Sequence, residues 1–278
     1  MKWQRGHRSA FVEDRRGSGG GRLSLGGIVI ALILYAIFGR DVTGLLSSGE
    51  LAGGGGAPAS TSAEEAELVD FVNFVLDDIQ GTWERQFRSA GETYRPATLV
   101  LFTDRVQSAC GIQGAAVGPF YCGADHKAYI DLGFYHELER RFGAPGDFAQ
   151  AYVLAHEVGH HVQKLLGISD RVQAERARRS EAQSNALSVR QELQADCLAG
   201  VWAHGAAAQG DLLEAGDIDE GLAAAAAIGD DRLQREARGT VRPETFTHGS
   251  SEQRVRWFGI GMREGTVEAC DTFGPERL

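Results

Sequence analysis

No surplus of positive charge runs through this chain: 28 Lys and Arg stand against 38 Asp and Glu, a formal net charge of −10. Nucleic-acid binding needs a basic face that displaces the counterions of the phosphates, so that role is excluded for the main body. Cysteines number only 4, with no Cys-x-x-Cys spacing, which excludes thiolate zinc modules. There is no internal repeat. The acidic stretch from Asp217 to Glu220 lacks EF-hand spacing and reads as the cap of a helix. No A-x-A-like cleavage site follows the one long apolar run. What is present, 43% hydrophobic and 24% charged residues in 278, suits a globular chain with one domain of ordinary size and appendages.

The charge is unevenly distributed. Residues 1–22 hold six basic side chains (Lys2, Arg5, Arg8, Arg15, Arg16, Arg22) against Glu13 and Asp14. Next comes LSLGGIVIALILYAIF, residues 23–38, without a charge. The run is shorter than the roughly 20 residues of a bilayer span, although Gly39 and snorkelling by Arg22 and Arg40 extend its reach. The expectation is a basic cytoplasmic leader at 1–22, a single transmembrane anchor at 23–39 and a flexible Gly/Ser/Ala linker at 40–63. The folded domain, 64–278, then lies outside the cytoplasmic membrane. A cleaved signal peptide is the alternative, and the long leader argues against it. Cys110, Cys122, Cys197 and Cys270 form an even set that suggests two disulfides in such a compartment, with free buried thiols as the alternative. Of the three pairings, Cys110 with Cys122 closes a short local loop and leaves Cys197 with Cys270.

Within the domain, Leu68, Phe71, Val75, Ile79 and Trp83 recur at helical spacing and predict a helix over 64–88. PATLVLFT (96–103) reads as a buried strand, and a second strand is expected at 127–132. The strongest helix runs from Asp147 to Leu166 and ends at Gly167. Further helices are expected at 181–208 and 217–228, with a short one at 250–258. Fold class is therefore α+β, mainly helical with a small sheet.

The strongest helix carries the chemistry. His156 and His160 are four residues apart and project from one face, so that both imidazoles can grip one metal ion. Glu157 beside them can act as general base toward water acidified by zinc. Two histidines need a third protein donor, and Glu192-Leu193-Gln194-Ala195-Asp196 on a second expected helix offers one. Glu192 completes the ligand set; Asp196 can fix the tautomer of a ligand histidine from its far nitrogen. His161 points about 100° away around the helix and reads as packing. His126 and Asp125 read as a satisfied loop pair, and His136 and His204 as structural or exposed.

HEVGHHVQKLLG followed by QELQADCLAGVWA resembles the Glu-ligand branch of the zincins, and most closely the bacterial neutral zinc metallopeptidase family. SACG (108–111), GPFYCGADHKAYIDLGFY (118–135) and FTHGSSEQRVRWFGIG (246–261) resemble further blocks of that family, so the likeness spans most of 64–278. It implies a zincin-like fold, one Zn2+ ion, a substrate-lining edge strand and an N-terminal membrane anchor. In Glu-ligand zincins a later histidine often steadies the oxyanion. His248 matches that role, with Arg254 and Arg256 as alternative donors. The expected activity is a zinc metallopeptidase, an endopeptidase whose extended polypeptide substrate adds along the strand at 127–132. The alternatives are a membrane-tethered binding or scaffold protein with a structural or vestigial zinc site, and a hydrolase of cell-wall amides. The sequence does not specify the oligomeric state.

Overall fold

In the computed structural model, which describes residues 1–16, 63–210, 212–274 and 278, the chain runs β1 (Val12–Asp14), α1 (Ala63–Ser89), β2 (Thr98–Phe102), β3 (Arg105–Ser108), β4 (Gly111–Gly114), β5 (Phe120–Cys122) and β6 (Lys127–Asp131). Helices α2 (Gly133–Arg140), α3 (Asp147–Leu165), α4 (Ile168–Arg176), α5 (Glu181–Ala208), α6 (Asp217–Ala227), α7 (Asp230–Arg238) and α8 (Ser251–Glu264) follow. The architecture is α+β and mainly helical. The expected anchor at 23–39 and nearly all of the linker lie outside the described residues. Among those described, no helix is long and apolar enough to cross a membrane.

The sheet has the order β1-β2-β6-β5, with β1, β2 and β6 parallel and β5 antiparallel to β6. Strand β2, TLVLF, is apolar without alternation because both its faces are covered, as a parallel strand requires. Leu99 and Leu101 point with Ala128 and Ile130 into the main helical core. Val100 and Phe102 pack with Val106, Cys122 and Tyr129 in a smaller core on the other face. The expected strand at 127–132 forms as β6, but it is interior. The sheet edge beside α3 is β5, three residues too short to announce itself in the sequence.

Helix α1 buries Phe71, Val75, Leu76, Ile79, Trp83 and Phe87 along one stripe, as its periodicity requires. Residues 1–16 lie on the same body. Trp3 packs edge-on against Phe71 with ring centroids 5.5 Å apart, and β1 adds to the sheet. Residues 1–16 are therefore not a segment separate from the folded body, which takes them in as well as the residues from 63 onward. The Met1 ammonium sits 2.7 Å from Asp147 and 3.2 Å from Asp217, at the starts of α3 and α6. A cation of the chain itself thus answers the acidic stretch at 217–220.

Helices α3, α5 and α8 stack closely because glycine stands where they cross. A Cβ on Gly159 of α3 meets the Ala195 carbonyl of α5 at 2.9 Å, and one on Gly261 of α8 meets the Cys197 carbonyl at 1.9 Å. The capping boxes at Ser180 and Ser250 set the starts of α5 and α8. Disulfides join Cys110 to Cys122 and Cys197 to Cys270, as expected from the sequence.

The two bridges differ in the loop they close, with sequence separations of 12 and 73. Loop-closure entropy gives about 3 kcal/mol for the shorter loop and about 4 kcal/mol for the longer. Replacing Cys197 and Cys270 together by alanine should lower unfolding free energy more than the same change at Cys110 and Cys122, as read by urea titration. Equal losses would show that strain or unfolded-state structure outweighs loop entropy.

Candidate metal centre

The centre is built where α3 and α5 cross. Asp196 on α5 is fully buried, a position an ionised carboxylate holds only when its oxygens are well supplied with donors. They are. Arg254 of α8 donates from Nε to one oxygen and from Nη2 to the other, both at 2.8 Å, and Tyr152 Oη donates at 2.5 Å. Burial alone raises the Asp196 carboxyl, but the Arg254 guanidinium and His156 hold it down at about 2. An ionised Asp196 can only accept, so His156 Nδ1, 2.8 Å away, carries the proton it donates. The lone pair of His156 Nε2 is then left facing outward.

His160 is fixed in the same sense by a different partner. Gln163 donates its amide nitrogen to the Gln191 carbonyl at 2.7 Å and to Gln194 Oε1 at 3.1 Å. Its Oε1 must therefore face His160 Nδ1, which donates to it at 2.9 Å. The two outward Nε2 atoms converge on one oxygen of Glu192, at 3.2 Å from His156 and 3.5 Å from His160. Three electron-pair donors pointing at one another call for a cation between them. Tetrahedral zinc with bonds of roughly 2.05 Å has ligand–ligand edges of about 3.3 Å, and these separations match. Without a metal, protons must take its place. Burial lowers both histidines, but Asp196 and Glu192 lift His156 to about 10 and Glu192 raises His160. Glu192 itself, despite its burial, is held well below the ordinary carboxylate range by the two imidazoles.

Glu157 follows His156 on α3 and is buried in the same cleft, a cavity of about 980 Å³ lined also by Phe120, Tyr121 and His248. Burial raises its carboxyl, opposed by the neighbouring histidines. His248 lies on the loop before α8 with its side chain half exposed, and Nδ1 is 3.2 Å from Asp230 Oδ1. The other Asp230 oxygen accepts from the backbone N–H groups of Thr247, His248 and Gly249 at 2.7, 2.6 and 3.1 Å. That loop is thereby tied to the start of α7.

The structure thus gathers His156, Glu157, His160, Glu192, Asp196 and His248 around one cleft. Arg254, named from the sequence as an alternative oxyanion donor, is instead buried against Asp196, and Arg256 is exposed. His161 is fully buried: Nε2 donates to the Arg95 carbonyl at 2.6 Å, and Tyr121 Oη donates to Nδ1 at 2.9 Å. Sequence reasoning missed Tyr152, Gln163 and Asp230. Tyr152 and Gln163 stand four residues before His156 and three after His160, so helical spacing from the ligands was the available signal. Asp230 had none beyond its place at a helix start.

Two helices present imidazole nitrogens and a carboxylate oxygen to one point, a candidate site for a single metal ion with His156, His160 and Glu192 as its donors. The model of the family described as putative neutral zinc metallopeptidase matches residues 1–273, and the chain belongs to that family. A protein of Escherichia coli K12 named as uncharacterized protein YpfJ is 45% identical over 287 residues, 99% of each chain. Uncharacterized protein Mb2605 of Mycobacterium bovis is 47% identical over 189 residues, 64% of this chain and 62% of its own length. No solved structure matches.

Because the Asp196 pKa is depressed on folding, its contribution to stability is present above about pH 4 and is lost as pH falls toward 2. Asp196→Asn should flatten stability across that window. It leaves Arg254 buried without its partner, at a cost of about 3–5 kcal/mol by urea unfolding. Zinc affinity, measured by chelator competition, should fall about 10–100-fold as His156 loses its orienting partner. Unchanged zinc affinity would mean that Asp196 serves the fold alone.

Proposed function

We propose that the chain is a zinc-dependent endopeptidase of zincin-like fold, tethered to the membrane by the run 23–38, with its cleft in a compartment that keeps both disulfides oxidised. The observation that carries this reading is the convergence of His156 Nε2, His160 Nε2 and a Glu192 oxygen at tetrahedral spacing, with Glu157 in the same cleft. Zinc held there supplies a Lewis acid that polarises a carbonyl and lowers the pKa of water.

The chain's own residues do the rest. Glu157 takes the proton of the attacking water and passes it to the departing amine, a task helped by the upward shift that burial gives its carboxyl. Asp196 and Gln163 keep both imidazoles in the tautomer that turns Nε2 inward. Asp230 raises the His248 pKa through the bond at Nδ1 and favours the imidazolium, whose Nε2–H is then free to donate to the oxygen that gains charge. Substrate in extended form pairs with the outer edge of β5, not with β6, through main-chain hydrogen bonds that make few demands on its sequence. A purely structural zinc site has no use for a buried carboxylate in the position of Glu157.

Purified full-length Glu157→Gln should bind one zinc and lose casein cleavage by at least about 10²-fold, the scale of general base catalysis. Wild-type cleavage should stop with a chelator and return with zinc. A Glu157→Gln protein cleaving at the wild-type rate would sink the mechanism. His248→Ala should lower kcat about 10²-fold with KM little changed, as expected for a donor to the transition state. A rise in KM alone would move His248 to substrate binding.

A further inference from the structure

Residues 1–16 are built into the domain by contacts that neutralise their charge. Arg5 pairs with Glu67, Arg8 with Asp70 and Arg16 with Glu65, and all three acids lie in the first two turns of α1. His7 Nε2 is 2.8 Å from Asp77, and Ser9 reaches both Asn73 and Asp77 at 2.9 and 2.5 Å. Val12, Glu13 and Asp14 stand in register beside Leu99, Val100 and Leu101, and Lys127 pairs with Glu13. The Lys2 amide donates to the Leu212 carbonyl at 2.8 Å. Basic side chains that the sequence offers as a signal for the cytoplasmic side are thus matched by an acidic helix of the same domain.

Arg16 and the first turn of α1 are also held to each other. Arg16 Nη1 lies 2.6 Å from Glu65 Oε1, two residues into α1. A single crossing of the bilayer by the run 23–38 puts about 30 Å of hydrocarbon between the two flanks of that run. The fold holds together residues 1–16, which precede that run, and α1, which follows it. Separating them means withdrawing β1 from the sheet, uncovering Phe71 beneath Trp3 and breaking the ion pairs with α1.

We propose that residues 1–16 and the domain 63–278 occupy the same side of the membrane, so that the N-terminal arm lies outside the cytoplasm with the disulfide-bonded domain and the pole bearing Arg16 and Glu65 faces the lipid surface. The lipid surface rests on the membrane attachment proposed above. The shared side rests on the contacts of residues 1–16 alone. It replaces the arrangement in which the leader stays in the cytoplasm while the domain is outside.

The test uses the full-length chain in bacterial spheroplasts. All four cysteines are paired, so a single introduced thiol is the sole target. Gln4→Cys on the arm and Arg178→Cys on the domain are both at exposed positions. Each is treated with a membrane-impermeant maleimide before and after permeabilisation. Equal labelling of both thiols before permeabilisation is the expected result. Labelling of Arg178→Cys alone, with Gln4→Cys reacting only after permeabilisation, would overturn the proposal, as would the converse. Protection of both until permeabilisation keeps the shared side and overturns its assignment to the outside. Carbonate extraction reads membrane attachment separately: a chain released from the membrane fraction ends the lipid-facing assignment and the tether, while the labelling pattern still decides the shared side.

Discussion

Three helices meet at the carboxylate of Asp196, and much of the centre depends on that meeting. Arg254 from α8 and Tyr152 and His156 from α3 all address an oxygen pair carried by α5. A buried carboxylate without such partners would take up a proton, and His156 would lose the acceptor that sets its tautomer. The bonds from Arg254 therefore fix the protonation of Asp196 and, through it, the direction of the His156 lone pair. They also brace the helices mechanically, because the guanidinium also reaches the Ile228 carbonyl at the end of α6.

Glycine makes that meeting geometrically possible. With any side chain at Gly159 or Gly261, α3 and α8 are pushed off α5. Glu192 sits one turn before Asp196, so a small displacement of α5 is felt directly as a change in donor spacing. Gly159 lies between Glu157 and His160, which makes the helix bearing the two histidines also the helix that can approach its partner closely. Ligand residues and packing residues share one short segment for this reason.

Local periodicity made the long helices legible: α1, α3, α5 and α6 are near their expected bounds, and His156, Glu157, His160, Glu192 and Asp196 follow from spacing on α3 and α5. What was not legible depends on contacts between distant segments. Strand β5 has three residues and gains its edge position only from β6. The arm at 1–16 reads as a charged leader because its partners, Glu65, Glu67 and Asp70, lie some fifty to sixty residues downstream. Asp230 and His248 lie 18 residues apart and find each other only once α7 and α8 are in place. The pairing of Arg254 with Asp196 was not legible because the two lie 58 residues apart on different helices.

The N-terminal arm has a consequence for the order in which the fold can be completed. Strand β1 has no partner until β2 exists, and the Met1 ammonium waits for Asp217, 216 residues later. Contacts of such long range are slow to close and are made against the full loop entropy of the intervening chain. During synthesis the arm emerges well before its partners and is therefore among the last segments to dock, and until it does β2 presents an open parallel edge. An unpaired edge of that kind invites pairing with other chains. The arm completes the sheet and, in the same step, ends the period in which a nascent chain is exposed to aggregation.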